Sequence, residues 1–183
     1  MNCYLASTLL LMLASAAFAQ EPRRPPLRVV SDVDLPRYMG TWYEIARLPF
    51  RFEAQCVSDV TATYTLLDDG NVAVVNRCRT KDGGISEAKG LARRDSKDGP
   101  GTKLKVRFAP AWLSFLPFVW GDYWIIDLAP DYSHAAIGEP GRKYLWILAR
   151  TPSIDETTLN DIRGRLEKNG YDLSQLIRSG TSR

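Results

Sequence analysis

Histidine and cysteine are scarce in this chain of 183 residues, which contains one histidine and three cysteines. His134 lies close to Tyr132, without an evident carboxylate or cysteine partner, and no spacing matches a zinc site. We therefore interpret His134 as a surface or strand-edge residue. We expect neither a metal nor a cofactor.

An excess of charge of one sign is lacking as well. Lysine and arginine together number 24 and aspartate and glutamate 21, and the basic residues are scattered. This balance argues against a nucleic-acid partner, which would require a basic patch. With 45% hydrophobic residues and no internal repeat, the chain has enough material for the core of one domain.

Basic residues are absent from the first eight positions, yet residues 1–19 have the other features of an export signal. An apolar centre is followed by Ala17-Phe18-Ala19, a small-x-small pattern that places cleavage before Gln20. The apolar run is too short to span a membrane. Cys3 precedes it and no cysteine lies at the cleavage site, so we expect no lipid anchor by that route. Residues 20–29 contain three prolines and are predicted to form an extended tether.

Residues 30–178 are predicted to form the folded domain, and residues 179–183 a disordered tail. Runs rich in β-branched and aromatic residues, separated by turn signals, predict strands over residues 40–48, 57–67, 71–79, 84–93, 102–108, 122–128, 132–138 and 144–150. Ser153-Ile154-Asp155-Glu156 matches a capping box and predicts a helix that ends at Asn169-Gly170. Residues 171–177 would add a short terminal strand.

Two segments carry the most informative motifs. Gly40-Thr41-Trp42 opens the first strand, and the last strand ends in Arg150 before Pro152 stops it. Together they resemble the Gly-x-Trp motif and the terminal arginine of the lipocalins, and their flanking runs are most similar to bacterial outer-membrane lipocalins and apolipoprotein D. The resemblance implies an all-β fold, an eight-stranded antiparallel up-and-down barrel with a C-terminal flanking α-helix. In that family Trp42 and Arg150 would pack together across the closed end. Asp131 only partly matches a further family motif, as a turn-capping residue.

The resemblance also implies a cavity for one small hydrophobic ligand. Alternation from Trp42 places Glu44 and Ala46 on the inner face of the first strand. The expected ligand is a fatty acid or lysophospholipid whose head group lies near the mouth, where Arg51 and Lys81 could meet a carboxylate or phosphate. The predicted ligand-binding residues are Glu44, Tyr64, Val74, Asn76, Leu104, Val106, Phe108, Trp146 and Leu148. Three of them, Tyr64, Asn76 and Trp146, match positions that line the cavity in apolipoprotein D-like proteins.

Cys56 and Cys78 lie near opposite positions of a predicted hairpin centred on Asp69. Behind an export signal, two such cysteines predict a disulfide; two reduced thiols are the alternative.

Residues 111–120 lack charge and contain four aromatics, while Pro117 argues against both a central strand and a regular helix. In a lipocalin this segment would be a loop at the open mouth. Trp112, Phe115 and Phe118 would then contact the ligand, a membrane surface or a second subunit, unless the loop folds back onto its own barrel.

The leading hypothesis is an exported lipid-binding protein of the periplasm, associated with the outer membrane or secreted, that carries or scavenges its ligand in lipid storage or transport. It would not be an enzyme. The first alternative is an enzyme on the same fold, which would need an activated nucleophile or an acid–base pair in the cavity. A raised pKa for Glu44 would support this alternative, whereas a solvent-exposed or salt-bridged Glu44 would argue against it. The second alternative is an interaction module that docks through residues 111–120.

Overall fold

The computed structural model describes residues 24–96, 99 and 101–180, so the predicted export signal lies outside the described residues. Two α-helices are present in this part of the chain, α1 at Leu35–Tyr38 and α2 at Glu156–Lys168. The strands are β1 Gly40–Arg47, β2 Cys56–Leu66, β3 Val72–Thr80, β4 Ile85–Arg94, β5 Lys103–Arg107, β6 Gly121–Leu128, β7 His134–Gly138, β8 Leu145–Ala149 and β9 Ile177–Arg178. The eight predicted barrel strands are confirmed, with ends that shift by one or two residues.

Strands β1 to β8 form a closed antiparallel barrel. Each strand pairs with the next in the chain, and β1 pairs with both β2 and β8. Closure removes the free edges that an open sheet would expose. The predicted fold class, an up-and-down barrel with a flanking C-terminal helix, is therefore confirmed.

The C-terminal segment completes the barrel wall. β1 pairs with β2 only over its first four residues, and beyond them β9 pairs with the end of β1. Ser179 N donates to Ile45 O at 3.0 Å, and Asp59 N donates to Gly180 O at 2.9 Å. The prediction of a disordered tail is therefore wrong for Ser179 and Gly180. The predicted terminal strand over residues 171–177 is also shorter than expected, since only Ile177–Arg178, which form β9, are in a strand.

Two apolar clusters lie on opposite faces of the barrel wall. The inner cluster includes Trp42, Tyr64, Val74 and Leu148. The outer cluster lies between the wall and α2, which contributes Leu159, Ile162 and Leu166. This helix begins two residues later than a cap at Ser153 implies, because Asp155 caps it by accepting from Thr158 N at 2.8 Å. The capping-box assignment of Ser153 was wrong.

The described part of the predicted tether packs against the domain. Leu27 is buried in the outer cluster. Arg28 and Asn169 exchange two hydrogen bonds, at 3.0 and 2.9 Å. These contacts hold the chain beside the end of α2 before it reaches the barrel.

A β-bulge in β1 changes which residues face inward. The β1–β8 register shifts between Glu44 and Ala46. Ile45 and Ala46 consequently both belong to the outer cluster, while Arg47 pairs with Trp146. The prediction that Ala46 faces the barrel interior is wrong for this reason.

The predicted disulfide is present, joining Cys56 to Cys78. Cys56 pairs in the β2–β3 ladder with Thr80 rather than with Cys78. Irregularities on both sides of Ser58, including a positive φ of 52° at Asp59, bring the two cysteines together despite that offset.

The loops of the barrel separate into two ends, as the up-and-down topology requires. We call the end that carries residues 48–55, 81–84, 108–120 and 139–144 the mouth. The opposite end carries α1, whose Leu35 and Tyr38 are buried in the inner cluster. The barrel therefore has a sealed base and a mouth bordered by loops.

Candidate ligand-binding site

The base is sealed by Trp42 and Arg150, as the lipocalin motifs imply. The indole of Trp42 is fully buried, and Arg150 Cζ lies 3.9 Å from its ring centroid. Arg150 also donates to the backbone oxygens of Thr41, Arg37 and Tyr38 at 3.0–3.1 Å. Gly40 adopts a φ of +95°, and a Cβ there would lie 3.3 Å from Arg150 Nη1. A side chain at position 40 would therefore be strained and would crowd the guanidinium.

Above the base, three tyrosine hydroxyls form a chain inside the barrel. Tyr123 donates to Tyr64, and the Tyr38 and Tyr123 hydroxyls are 2.9 Å apart. Because Tyr123 has only one proton to donate, Tyr38 must donate to Tyr123. Burial raises the pKa of Tyr64 to about 12, so its hydroxyl stays protonated. The Tyr64 proton meets no acceptor among the described residues.

Nearer the mouth lies a polar cluster that consists of Glu44, Arg47, Glu53 and Ser179. Arg47 Nε lies 3.3 Å from Glu44 Oε1 and 3.0 Å from Glu53 Oε2. Ser179 Oγ donates to Glu44 Oε1. The cluster thus connects β1, the loop before β2 and the C-terminal segment.

Glu44 is held in its protonated form despite its contact with Arg47. Burial and the nearby carboxylate of Glu53 raise the pKa of Glu44 to about 8, against the opposing effects of Ser179 and Arg47. Burial also raises the pKa of Glu53, while Arg47 opposes this shift. At neutral pH Glu44 therefore carries a proton, and Arg47 remains the ion-pair partner of Glu53.

Aromatic rings stand beside this cluster. Phe50 makes edge contacts with Tyr144 and Trp146, at centroid distances of 5.1 and 5.3 Å. Trp146 Nε1 donates to Glu53 Oε1 at 3.2 Å. Trp146 thereby links the polar cluster to the aromatic rings of the mouth.

The segment over residues 111–120 is confirmed as a loop at the mouth. It consists of two short 3₁₀ turns, Ala111–Leu113 and Pro117–Val119. Trp120 anchors it, since Arg93 Cζ lies 4.0 Å from the ring centroid and Trp120 Nε1 donates to Ser114 O at 2.8 Å. Trp112, Phe115 and Phe118 are 73, 75 and 79% exposed, so the loop does not fold back onto the barrel.

The structure places most of the predicted ligand-binding residues on the inner face. Tyr64, Val74, Leu104 and Leu148 are buried in the inner cluster, and Val106 and Trp146 pack against it. Glu44 lies in the polar cluster. Asn76 pairs with Ala62 across the ladder, and its buried Oδ1 has no hydrogen-bond partner among the described residues.

Phe108 differs from this group. It lies just beyond β5, at the mouth, and remains 44% exposed. A Cβ on Gly90 would lie 2.8 Å from its ring, so Phe108 covers the space beside that glycine. Lys81 also lies at the mouth, where a pocket of about 360 Å³ is lined by Ala54, Gln55, Thr80, Lys81 and Asp82.

Three members of the polar cluster could not be predicted from the sequence. Alternation assigned Arg47 to the outside because the bulge was not visible in the sequence. Glu53 lies in a loop and Ser179 was assigned to a tail, and neither has a periodic neighbour that would indicate its position. No signal in the sequence marks the cluster, since the burial of Glu44, Ile45 and Ala46 is evident only in the fold.

The described residues contain one serine–histidine contact, with Ser133 Oγ 3.2 Å from His134 Nδ1. Arg165 Nη2 can only donate, and it lies 3.5 Å from His134 Nε2. The second ring nitrogen of His134 therefore faces a cation, which itself donates to Asp127 Oδ2 at 2.8 Å. Activation of a serine nucleophile requires a histidine that is oriented from that side by an acceptor such as a carboxylate. His134 is half-buried on β7, in agreement with its predicted strand-edge position.

Among the described residues, no group of three or more histidine, cysteine, aspartate or glutamate side chains is arranged to hold a metal ion. No helix in this part of the chain combines the length and the apolar character needed to cross a membrane.

The geometry defines a class of protein: a single β-barrel with one sealed end, one end bordered by loops and side chains of mixed polarity between them. Comparison with known proteins gives the family. A model described as a lipocalin-like domain matches residues 33–181, and this chain belongs to the lipocalin family. Lipocalins bind small hydrophobic ligands.

Relatives from plants, bacteria and animals match most of the chain. It is 41% identical over 157 residues to temperature-induced lipocalin-1 of Arabidopsis thaliana, covering 85% of this chain and 83% of that protein. It is 40% identical over 169 residues to the outer membrane lipoprotein Blc of Escherichia coli strain K12, covering 90% and 91%. Mouse (Mus musculus) apolipoprotein D is 31% identical over 161 residues, covering 83% and 78%.

A solved structure shows the same fold. Insecticyanin from the tobacco hornworm Manduca sexta superposes with a TM-score of 0.66 at 24% identity, covering 86% of each chain.

Proposed function

We propose that this protein carries an acyl-chain lipid, such as a fatty acid or a lysophospholipid, in the mouth half of its barrel. The observation that carries the proposal is the difference between the two ends. The base is closed by Trp42, Arg150 and α1, whereas exposed aromatic residues border the mouth. An apolar chain would enter past these rings and lie against the inner cluster.

The names of the relatives support the same proposal. One is an outer membrane lipoprotein and another is an apolipoprotein, and both match most of this chain. We extend this to location and propose that the chain is exported to the periplasm. Sequencing the N-terminus of the protein isolated from its host would test the export, with Gln20 expected as the first residue.

Native mass spectrometry of the protein from its own host, followed by organic extraction, would test carriage. We expect one acyl lipid per chain, and lower retention in Trp146→Ala, because Trp146 lies between the polar cluster and the rings of the mouth. Trp124→Ala is the matched control, since Trp124 packs against the outer cluster. A barrel that is empty and whose tryptophan emission is unchanged both by added fatty acids and by added lysophospholipids would contradict carriage.

We also propose that the protein is not an enzyme. In the serine–histidine contact, the second histidine nitrogen faces Arg165 rather than an orienting carboxylate, and Glu44 is paired with Arg47 rather than with a nucleophile. Glu44 has the raised pKa that an acid–base role would need. Its ion pair with Arg47 argues against that role. Recovery of a chemically unchanged lipid after prolonged incubation with the protein would support carriage, whereas a new product would overturn this proposal.

A second function is suggested by the loop at the mouth. Three large aromatic side chains, Trp112, Phe115 and Phe118, are each more than 70% exposed. Aromatic residues of this kind are favoured at the interface of a lipid bilayer. We propose that the loop contacts a membrane surface, with a second copy of the chain as the alternative.

The double variant Trp112→Asp, Phe115→Asp would separate these partners. Reduced binding to phosphatidylcholine vesicles with an unchanged elution volume supports the membrane. A later elution volume with unchanged vesicle binding supports the second copy. If neither quantity changes, the loop has no such contact.

A further inference from the structure

The polar cluster contains more carboxyl groups than basic groups. Glu44 and Glu53 share the single guanidinium of Arg47, and no other lysine or arginine of the described residues forms an ion pair with either. Both carboxyl side chains are buried, with 3% and 15% of their surface exposed. Ionising both would leave an unbalanced negative charge in a site of low polarity, which is energetically costly. The cluster is therefore one positive charge short, and a proton on Glu44 supplies it.

The rings beside the cluster favour a cation. Phe50, Tyr144 and Trp146 pack against one another, and Trp146 donates to Glu53. Lys143 Nζ already lies 5.3 Å from the centroid of the Tyr144 ring. Aromatic faces attract ammonium groups, and quaternary ammonium groups are bound in this way because they are weakly hydrated. Carboxylates next to such rings are suitable surroundings for a positively charged head group.

We propose that the polar cluster and its neighbouring rings bind an ammonium group at the polar end of the acyl-chain ligand. The proposal rests on the lipid carriage proposed above and names the head group that this site selects. An ammonium group beside Glu44 and Glu53 takes the place of the proton, which leaves to solvent, so two cations balance two carboxylates. A carboxylate head group would instead place a third acidic group beside Glu44 and Glu53, with only the guanidinium of Arg47 to balance them.

Every group that faces Glu44 is consistent with this exchange. Arg47 lies on the same strand, Glu53 comes from the mouth loop, and Ser179 comes from the C-terminal segment. On β8, the cross-strand partner of Glu44 is Leu148, and the adjacent inward residue is Trp146; neither carries a charge. Glu44 is therefore the group that loses a proton when a cation binds.

Release of a proton makes the affinity depend on pH. Affinity for a permanently charged ammonium ligand should rise by about tenfold per pH unit while Glu44 is protonated, and should level off once Glu44 is ionised. Affinity for an uncharged ligand of the same chain length should be independent of pH. Affinity for a carboxylate ligand should fall as the pH rises.

The test compares dodecyltrimethylammonium, dodecanol and dodecanoate, each below its critical micelle concentration, between about pH 6 and pH 9. Binding is measured by tryptophan emission, and the protons exchanged by calorimetry in buffers of different ionisation enthalpy. We expect dodecyltrimethylammonium to bind the most tightly at the upper end of the range and to release close to one proton. Glu44→Gln should remove both the release and the pH dependence, whereas Glu87→Gln, on the exposed outer surface, should leave them unchanged.

The neutral ligand separates the two proposals. If dodecanol binds but dodecanoate binds as tightly as the ammonium compound, or if ammonium binding releases no proton, the head-group proposal is overturned and carriage stands. If none of the three ligands binds, both proposals are overturned. These comparisons use the unaltered protein, so they remain decisive even if Glu44→Gln fails to fold.

Discussion

The guanidinium of Arg150 lies over the ring of Trp42 and also donates to the chain that surrounds it. Its Cζ is 3.9 Å from the ring centroid, and its two Nη atoms reach three backbone oxygens. These oxygens belong to α1 and to the first residues of β1. The side chain that directly follows β8, the last barrel strand, therefore fixes the start of β1.

Replacing Arg150 with alanine should lower the free energy of unfolding by about 2 kcal/mol or more, because a stacking contact and charged hydrogen bonds are lost together. Arg150→Lys should lower the free energy of unfolding less, because lysine keeps the positive charge. Some loss should remain, because an ammonium group cannot reach three oxygens in one plane. Urea unfolding would measure both losses. Equal stability of Arg150→Ala and the unaltered protein would show that the base is sealed by other contacts.

Tyr123→Phe should destabilise the protein more than Tyr38→Phe. Tyr123 is the middle hydroxyl of the chain, so its removal leaves two buried hydroxyls without their partner. Tyr38→Phe removes one donor and leaves the bond from Tyr123 to Tyr64 intact. We expect a loss of about 1–3 kcal/mol for Tyr123→Phe, measured by urea unfolding. The opposite order of the two variants would contradict the central position of Tyr123 among the three hydroxyls.

Glu44 should make the protein less stable as the pH rises. Its pKa is about 8 in the folded protein and ordinarily 4.5, so the folded state binds a proton that the unfolded state has released. This contribution is fully present below about pH 4.5 and is lost progressively up to about pH 8. The melting temperature should therefore fall over this interval. The fall should be smaller in Glu44→Gln, and an identical slope in the two proteins would exclude Glu44 as its source.

Reduction of the disulfide should lower the free energy of unfolding by roughly 3 kcal/mol, since it closes a loop of moderate length. The sequence separation of Cys56 and Cys78 is 22. Urea unfolding with and without a reducing agent would measure the loss. The double variant Cys56→Ser, Cys78→Ser is the control, because it should match the reduced protein and should not respond to the reductant.

The features that could be predicted from sequence are those with a strong local signal. β-branched runs between turns gave the strands, and the Gly40-x-Trp42 and Arg150 motifs gave the sealed base. Two cysteines that follow an apolar N-terminal run predicted the disulfide. Each signal is contained in a few adjacent residues or in a motif that the family shares.

The polar cluster could not be predicted because it depends on a shift of one residue. The bulge after Glu44 turns Ala46 outward and Arg47 inward, and no residue type in this strand marks its position. Glu53 and Ser179 reach the cluster only through the tertiary fold. Their approach depends on how a loop and a terminal segment cross the barrel wall, which periodicity does not encode.

The C-terminal segment also constrains the order in which the protein is built. Ser179 and Glu44 are 135 positions apart, and residues 177–180 fill the wall between β1 and β2. β1 therefore lacks a partner along part of one edge until this distant segment has docked. Contacts of such long range slow folding. The charge pattern of the lumen is complete only once the segment that supplies Ser179 is in place.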